Sequence, residues 1–182
     1  MKKLIALFLL ISFISCANKS QISKDLNCNP ESYNNLEVVQ DFKEKFSMVI
    51  PKAWKTNLYY DNNQTSIYTA DTTKNLTNTF TLDVTYVYNK LKFDQKFIQN
   101  FKNNLIDRQL IETTSYELKF QEKDAYYSRS HGMRGQFDYQ MFNLFIKVDI
   151  NNYILAKAEV YGDSLANERF CNALSLIEKL TY

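Results

Sequence analysis

The sequence predicts an α+β protein in which a mainly antiparallel β-sheet is sandwiched between helices. Segments with alternating apolar residues follow one another through short polar turns, which suit hairpins rather than the long crossovers that parallel strands need. The apolar period changes to that of an amphipathic helix in only two places, near residue 100 and at the C-terminus. Helices that cover an antiparallel sheet define the α+β class.

The N-terminus predicts export and lipidation. Lys2 and Lys3 precede an apolar run over residues 4–14, which is too short to span a bilayer and is typical of a removable signal over residues 1–15. Ser15-Cys16 resembles the cleavage point of a bacterial lipoprotein signal, although Phe13 replaces the usual aliphatic residue. We therefore expect Cys16 to be lipidated; the alternative is an ordinary signal peptide that contains a cysteine.

Residues 16–35 are rich in Asn, Ser, Lys and Gln and show no apolar period. They predict a lipidated N-terminus followed by a tether, whose residues 17–27 would hang free of the domain. The folded domain is expected over residues 36–182. Without the signal, 167 residues remain, enough for one domain with a sizeable core.

Three strands are predicted in the first half of the domain. Residues 46–50 form a strand that ends at Pro51, since proline cannot donate to a β-ladder. Residues 66–70 form a second strand, and residues 79–88 form the clearest one.

In the strand over residues 79–88, one face carries apolar residues and the other carries Thr and Asp. A helix capped by Asp94 follows. We expect the apolar face of the strand to pack against the apolar face of this helix. The strand residues are Phe80, Leu82, Val84 and Tyr86, and the helix residues are Phe97, Phe101 and Leu105.

Four further strands and a helix complete the domain. The strands cover residues 112–121, 125–130, 137–150 and 153–161, with turns at residues 122–124 and at Asn151-Asn152. The last helix should be capped by Asp163-Ser164. Its buried face is Ala166, Phe170, Leu174, Ile177 and Leu180.

The mature chain is close to neutral, because loss of Lys2 and Lys3 leaves 20 basic and 20 acidic residues. Nucleic-acid binding needs a net basic face, so no nucleic-acid partner is expected. Electrostatic binding to a membrane surface is disfavoured for the same reason, which leaves the lipid as the membrane anchor.

Two cysteines remain once Cys16 is assigned to the anchor. Cys28 and Cys171 form an even pair in a compartment where disulfides persist, and they predict a disulfide. The alternative is two unrelated buried thiols.

The segment Phe46-Ser47-Met48-Val49-Ile50-Pro51-Lys52-Ala53-Trp54 resembles the opening strand, proline and tryptophan of PsbP-like domains. The element order over residues 40–182 is similar to that family, which includes DcrB-type bacterial envelope lipoproteins. The resemblance implies an antiparallel sheet between helices and members that bind or stabilise other proteins. It implies no catalytic residues and no cofactor.

The sequence carries no evident catalytic or metal site. His131 is the only histidine, and it has no partner at a metal-ligand spacing and no nucleophile motif beside it. Residues 128–136 predict a loop that carries Arg129, His131 and Arg134, which is either a contact surface for an anionic partner or a solvated connection.

Aromatic residues are abundant and have two interpretations. They could line an apolar pocket or a protein-binding face, or they could be core. The residues in question are Tyr59, Tyr60, Tyr126, Tyr127, Phe137, Tyr139 and Phe145.

Together these features predict a non-enzymatic, lipid-anchored envelope protein that binds or stabilises a partner protein. Its expected location is the outer membrane, facing the periplasm; the alternative is exposure at the cell surface. The alternative function is a carrier of a small apolar ligand, which would need a closed apolar cavity of several hundred Å³ between sheet and helix.

The lipidation hypothesis makes a direct prediction. Cys16→Ser should abolish acylation and release the protein from the membrane fraction, because the thiol is the site of lipid attachment. Fractionation and mass spectrometry of the mature protein measure both effects. A mature wild-type protein without acyl mass would contradict the hypothesis.

Overall fold

The computed structural model of the chain describes residues 20–182. The expected export signal and Cys16 lie outside the described residues. The helices are α1 (Gln21–Asp25), α2 (Gln95–Asp107) and α3 (Ala166–Ile177), with a 3₁₀ turn at Leu76–Asn78. The strands are β1 (Leu36–Gln40), β2 (Ser47–Pro51), β3 (Lys55–Tyr60), β4 (Gln64–Ala70), β5 (Phe80–Val87), β6 (Leu110–Phe120), β7 (Lys123–Arg134), β8 (Phe137–Lys147) and β9 (Tyr153–Tyr161).

Seven strands form one antiparallel sheet in the order β3-β4-β5-β9-β8-β7-β6. β1 and β2 form a separate antiparallel hairpin. With helices packed on it, the sheet confirms the predicted α+β class. None of the helices formed by residues 20–182 is both long and apolar enough to cross a bilayer.

The first face of the sheet, here called the α3 face, holds the main core. Leu82 on β5 lies opposite Ala158 on β9, and both are fully buried. Phe170 and Leu174 of α3 belong to the same buried cluster. The apolar side of β5 is thus buried as predicted, but the predicted partner helix is wrong: it packs with α3 and not with α2.

α2 packs on the second face, here called the α2 face, over the other half of the sheet. Leu105 of α2 packs with Tyr139 and Met141 of β8, and Phe97 lies edge-on to Phe145, with ring centroids 5.1 Å apart. Asp94 caps α2 as predicted and accepts a hydrogen bond from the Phe97 N–H at 2.9 Å. The predicted helix and its Asp94 cap are therefore confirmed, but the prediction that α2 packs against β5 is wrong.

A buried carboxylate attaches the β1–β2 hairpin to the sheet. Asp41 lies in the hairpin turn and accepts backbone N–H groups of Lys43, Lys45 and Phe46. It also accepts the hydroxyl of Thr65 on β4 at 2.8 Å. These four hydrogen bonds offset the free-energy cost of burying the carboxylate. They also hold the hairpin over the β3–β4 end of the α3 face.

The described part of the predicted tether is folded onto the domain. Ile22 in α1 is fully buried in the main core, and the Tyr116 hydroxyl on β6 donates to Asp25 at 2.6 Å. The expectation of a free segment over residues 17–27 is therefore wrong from Gln21 onward. Ile22 and Leu26, four residues apart, are the apolar residues of this short segment and both pack on the core; a single i, i+4 pair is too short to establish a helical period in the sequence.

The predicted disulfide is confirmed. Cys28 and Cys171 are bonded, with Cα atoms 5.2 Å apart across a sequence separation of 143. Both residues are buried beside α3. The bond fixes the N-terminal segment to the second turn of α3.

Three local predictions need correction. The β6–β7 turn is formed by Gln121 and Glu122, both at positive φ, one residue earlier than expected. The β8–β9 connection spans residues 148–152 and is closed by Asp149, which accepts the Asn151 N–H at 2.7 Å. No side chain caps α3; its N-cap position is Leu165, at φ 51°.

Loss of the disulfide should lower stability strongly. A closed loop of this length corresponds to about 5 kcal/mol in the chain-entropy model, and therefore to a decrease of roughly 10 °C or more in Tm. Thermal unfolding with and without reductant measures the shift. The Cys28→Ser variant should melt at the reduced wild-type temperature and should not respond to reductant; an unchanged Tm on reduction would contradict this account.

Candidate functional site

The predicted contact loop is a strand. Arg129, His131 and Arg134 all lie in β7, and the connection to β8 is limited to Gly135 and Gln136. Gly132 fits the strand because the carbonyl oxygen of Gln109 approaches closely: a Cβ at this position would lie 2.5 Å from that oxygen. The glycine that suggested a loop thus marks a close contact between β7 and the start of β6.

The three candidate contact residues do not form one surface. Arg129 lies on the α3 face, where it donates to Gln140 at 2.6 Å and stacks on Phe170 at 5.0 Å. His131, two residues further along β7, is exposed on the same face. Arg134 lies on the opposite face, donates to the Tyr161 hydroxyl and pairs with Glu159 at 3.6 Å. A single anionic ligand held by both arginines is incompatible with this arrangement.

Most of the abundant aromatic residues are core. Tyr126 and Tyr127 are buried on opposite faces of β7, and Tyr139 and Phe145 are buried under α2. These residues fill the molecule and line no cavity of the size that a ligand carrier needs. Tyr59 and Tyr60, at the end of β3, are the exposed pair.

Tyr60 belongs to an apolar surface that we call the edge strip. The strip is formed by exposed apolar side chains of β1, its turn and β3: Leu36, Val38, Phe42, Leu58 and Tyr60. Phe42, just after β1, stacks on Tyr60 at the end of β3 with ring centroids 4.0 Å apart. Lys43 also donates to the carbonyl of Asp61, at 2.9 Å.

β1 and β3 meet at one end of the hairpin, where Phe42 stacks on Tyr60. At the other end of β1, Asn35 accepts the N–H of Lys52, which extends the β1–β2 ladder one pair beyond Leu36 and Pro51. β3 is an edge strand of the large sheet and β1 pairs only with β2, so each has one unpaired side. An exposed apolar strip beside unpaired strands is the kind of surface that a protein partner covers.

A second feature, which we call the rim cleft, lies where four segments meet at one end of the α3 face. It encloses about 140 Å³. Glu31 and Tyr33 come from the segment after Cys28, Trp54 from the β2–β3 connection, Asp71 from the β4–β5 connection and Glu168 from α3. The Glu31 N–H donates to Asn172 at 2.9 Å, which holds this wall against α3.

Aromatic and acidic side chains dominate the character of the rim cleft. Tyr33 and Trp54 meet edge to face with centroids 5.5 Å apart. Burial and the nearby charges of Glu31 and Asp71 raise the pKa of the Tyr33 phenol far above its usual value. Lys74 lies 3.9 Å from Asp71 and offsets part of the negative charge.

Arg169 forms part of the lining of the rim cleft, although it is only 6% exposed. Its guanidinium donates to four backbone carbonyls, those of Thr79, Tyr161, Gly162 and Ser164, at 2.5–3.1 Å. This fan of bonds ties α3 to the ends of β5 and β9. These bonds satisfy carbonyl oxygens and therefore do not replace the N-cap predicted at Asp163-Ser164, which would accept N–H groups.

Only partial signals for these features are present in the sequence. Trp54 stood within the segment that resembles PsbP-like domains, but nothing near it indicated Tyr33 or Arg169 as neighbours. The edge strip consists of single apolar residues in β1, its turn and β3, two strands that were not predicted from the sequence; of its residues only Tyr60 was a candidate there, as either core or part of a binding surface. Among the described residues, no cluster of His, Cys, Asp and Glu has the arrangement of a metal site.

Comparison with solved structures shows a PsbP-like fold. Cyanobacterial PsbP (CyanoP) from Synechocystis sp. PCC 6803 superposes with a TM-score of 0.62 at 10% identity, covering 85% of this chain and 96% of that one. A Bacteroides thetaiotaomicron structure matches at a TM-score of 0.47 and 16% identity, covering 82% of this chain and 48% of that one. A Pseudomonas aeruginosa structure matches at 0.44 and 9%, covering 82% and 98%.

No protein family matches the chain by sequence, and no curated protein does so either. At these identities the likeness to solved structures establishes the fold and leaves the function to be argued from the surface of this chain.

The role of Arg169 as a tie is testable. Arg169→Lys should lower the free energy of unfolding by about 2–4 kcal/mol, because an ammonium cannot reach four carbonyls and leaves buried acceptors unpaired. Chemical denaturation measures the change. Arg108→Lys is the matched control, since the Arg108 guanidinium contacts only the sulfur of Met141; equal losses in both variants would contradict the assignment.

Proposed function

We propose that this protein is a non-enzymatic, lipid-anchored protein of the bacterial cell envelope that binds a partner protein through the edge strip. The observation that carries the proposal is the edge strip itself. Val38 is 71% exposed in the middle of a strand, and Phe42 and Tyr60 stack on each other on the outside of the molecule. Exposed aromatic side chains at an unpaired strand are typical of protein interfaces.

The disulfide supports an extracytoplasmic location. Cys28–Cys171 is buried and closes most of the domain, and such bonds persist in oxidising compartments such as the bacterial periplasm. Export agrees with the signal predicted over residues 1–15, and the lipid on Cys16 would hold the domain at the membrane, in the manner of DcrB-type lipoproteins. We place it at the outer membrane, facing the periplasm.

The fold constrains how the anchored domain would be presented. From Cys16 to Ser20 the chain can extend about 14 Å at most, and α1 begins at Gln21. α1 packs near β6, whereas the edge strip adjoins β3, at the opposite end of the seven-stranded sheet. Six inter-strand spacings amount to about 29 Å. The edge strip is therefore at the end of the sheet remote from the anchor, where a partner can reach it.

The packed interior of the domain disfavours the alternative function, a carrier of a small apolar ligand. Buried side chains of the sheet and α3 form one continuous cluster in the described residues, in the place where a ligand pocket would have to lie. The rim cleft, at about 140 Å³, is well below the several hundred Å³ that an apolar cargo requires. A concavity of about 300 Å³ between α2 and β6 is larger, but its Ile106 and Ile111 are exposed, so it is an open groove and not a closed cavity.

Substitution within the edge strip tests the proposal. Val38→Lys should abolish capture of the partner from detergent-solubilised membranes, because a buried lysine without a counter-charge is costly at an interface. Ile150→Lys is the matched control, since Ile150 is 74% exposed and lies in the β8–β9 connection, away from the strip.

The readout is quantitative affinity capture followed by mass spectrometry, with thermal unfolding to show that both variants are folded. A protein recovered with the wild type and with Ile150→Lys but lost with Val38→Lys is the expected result. Equal recovery with Val38→Lys and with a second variant, Phe42→Ser, would exclude the edge strip as the binding surface.

A further inference from the structure

The rim cleft has the features of a subsite for a single side chain. Its volume of about 140 Å³ corresponds to roughly five water molecules, which is too small for a drug-sized ligand. A partner that docks on the surface of a protein commonly inserts a few anchoring side chains into pockets of this kind.

The walls of the rim cleft favour a positive charge. Tyr33 and Trp54 present aromatic rings, whose faces attract cations, with tryptophan as the strongest. Three carboxylates line the cleft, those of Glu31, Asp71 and Glu168.

The positive groups of the cleft do not cancel this preference. Lys74 is exposed and approaches Asp71 only to 3.9 Å. Arg169 also lines the cleft, but it is buried and its terminal nitrogens donate to backbone carbonyls; its buried Nε has no hydrogen-bond partner among the described residues. Three carboxylates thus line the cleft with one exposed ammonium and one buried guanidinium, so the lining keeps one net negative charge.

We propose that the rim cleft binds the cationic head of a lysine or arginine side chain presented by the partner protein. This inference rests on the proposed partner-binding function and specifies the chemistry of one contact. The stem of such a side chain would pack on Trp54, and its charged head would lie among the carboxylates of Glu31, Asp71 and Glu168. The proposed contact is non-covalent.

The position of Trp54 makes the cleft measurable without the partner. It is the only tryptophan of the chain, so intrinsic fluorescence reports on the cleft alone. The probes are N-acetyl-lysine methylamide and its neutral near-isostere N-acetyl-6-hydroxynorleucine methylamide, in which a hydroxyl replaces the ammonium group. We expect saturable fluorescence change with the cationic probe, with a Kd on the order of 1–10 mM, and none with the neutral one.

Two substitutions assign the response to the carboxylates. Glu31→Gln and Glu168→Gln should each raise the Kd of the cationic probe about threefold, as expected for partly exposed charge pairs. Addition of 0.5 M NaCl should raise the Kd further. Within residues 20–182 neither side chain makes a hydrogen bond or ion pair: Glu31 contributes only its backbone N–H, and Glu168 lies in the first turn of α3. Glu178→Gln, at the other end of α3, is the control and should leave the Kd unchanged.

Equal responses to the cationic and the neutral probe would overturn the inference, and so would a Kd that Glu31→Gln and Glu168→Gln leave unchanged. These outcomes are independent of the edge strip. Loss of the partner in Val38→Lys without any cation binding at Trp54 would reject the cleft while leaving the proposed function intact.

Discussion

The packing of one short helix on a wide sheet determines the rest of this structure. α3 has 12 residues and is therefore about 18 Å long, whereas the seven strands extend across about 29 Å. α3 lies over the central strands, where Phe170 packs on Phe142 of β8. The remaining apolar side chains of this face need other cover. α1 supplies it at the β6–β7 end, and the β1–β2 hairpin supplies it at the β3–β4 end.

The edge strip and the rim cleft both follow from this divided cover. The strip lies where the hairpin meets the outermost strand, and the cleft lies where the hairpin, the segment after Cys28 and α3 come together. Two ties hold the pieces in place: Cys28–Cys171 joins the N-terminal segment to α3, and Arg169 joins α3 to the strand ends. Surfaces at such junctions are less constrained by the core than the faces of the strands, which leaves them open to binding.

Much of the fold could be predicted because it depends on local pattern. The alternation in β5, the extent of β9, the Asp94 cap and the pairing of Cys28 with Cys171 were all predicted correctly. These features rest on side-chain periodicity, backbone hydrogen bonding and cysteine parity, all of which are visible in a single sequence.

The errors concern contacts between distant segments. The sequence places α2 directly after β5, but the connection carries the helix to the other face and the other half of the sheet. Ile22 is buried although its neighbours are polar, and Gly132 marks a close strand contact instead of a loop. The rim cleft is assembled from four segments, of which only the one with Trp54 carries a motif, so only the folded chain brings its aromatic and acidic residues together.

Site-specific photo-crosslinking in living cells tests the central claim most directly. A photoreactive amino acid would replace Val38 in the edge strip or Ile150 in the β8–β9 connection, two positions of similar exposure. The account predicts a discrete crosslinked product with one protein from position 38 and none from position 150. The absence of a product at position 38, or the same products from both positions, would contradict partner binding through the edge strip.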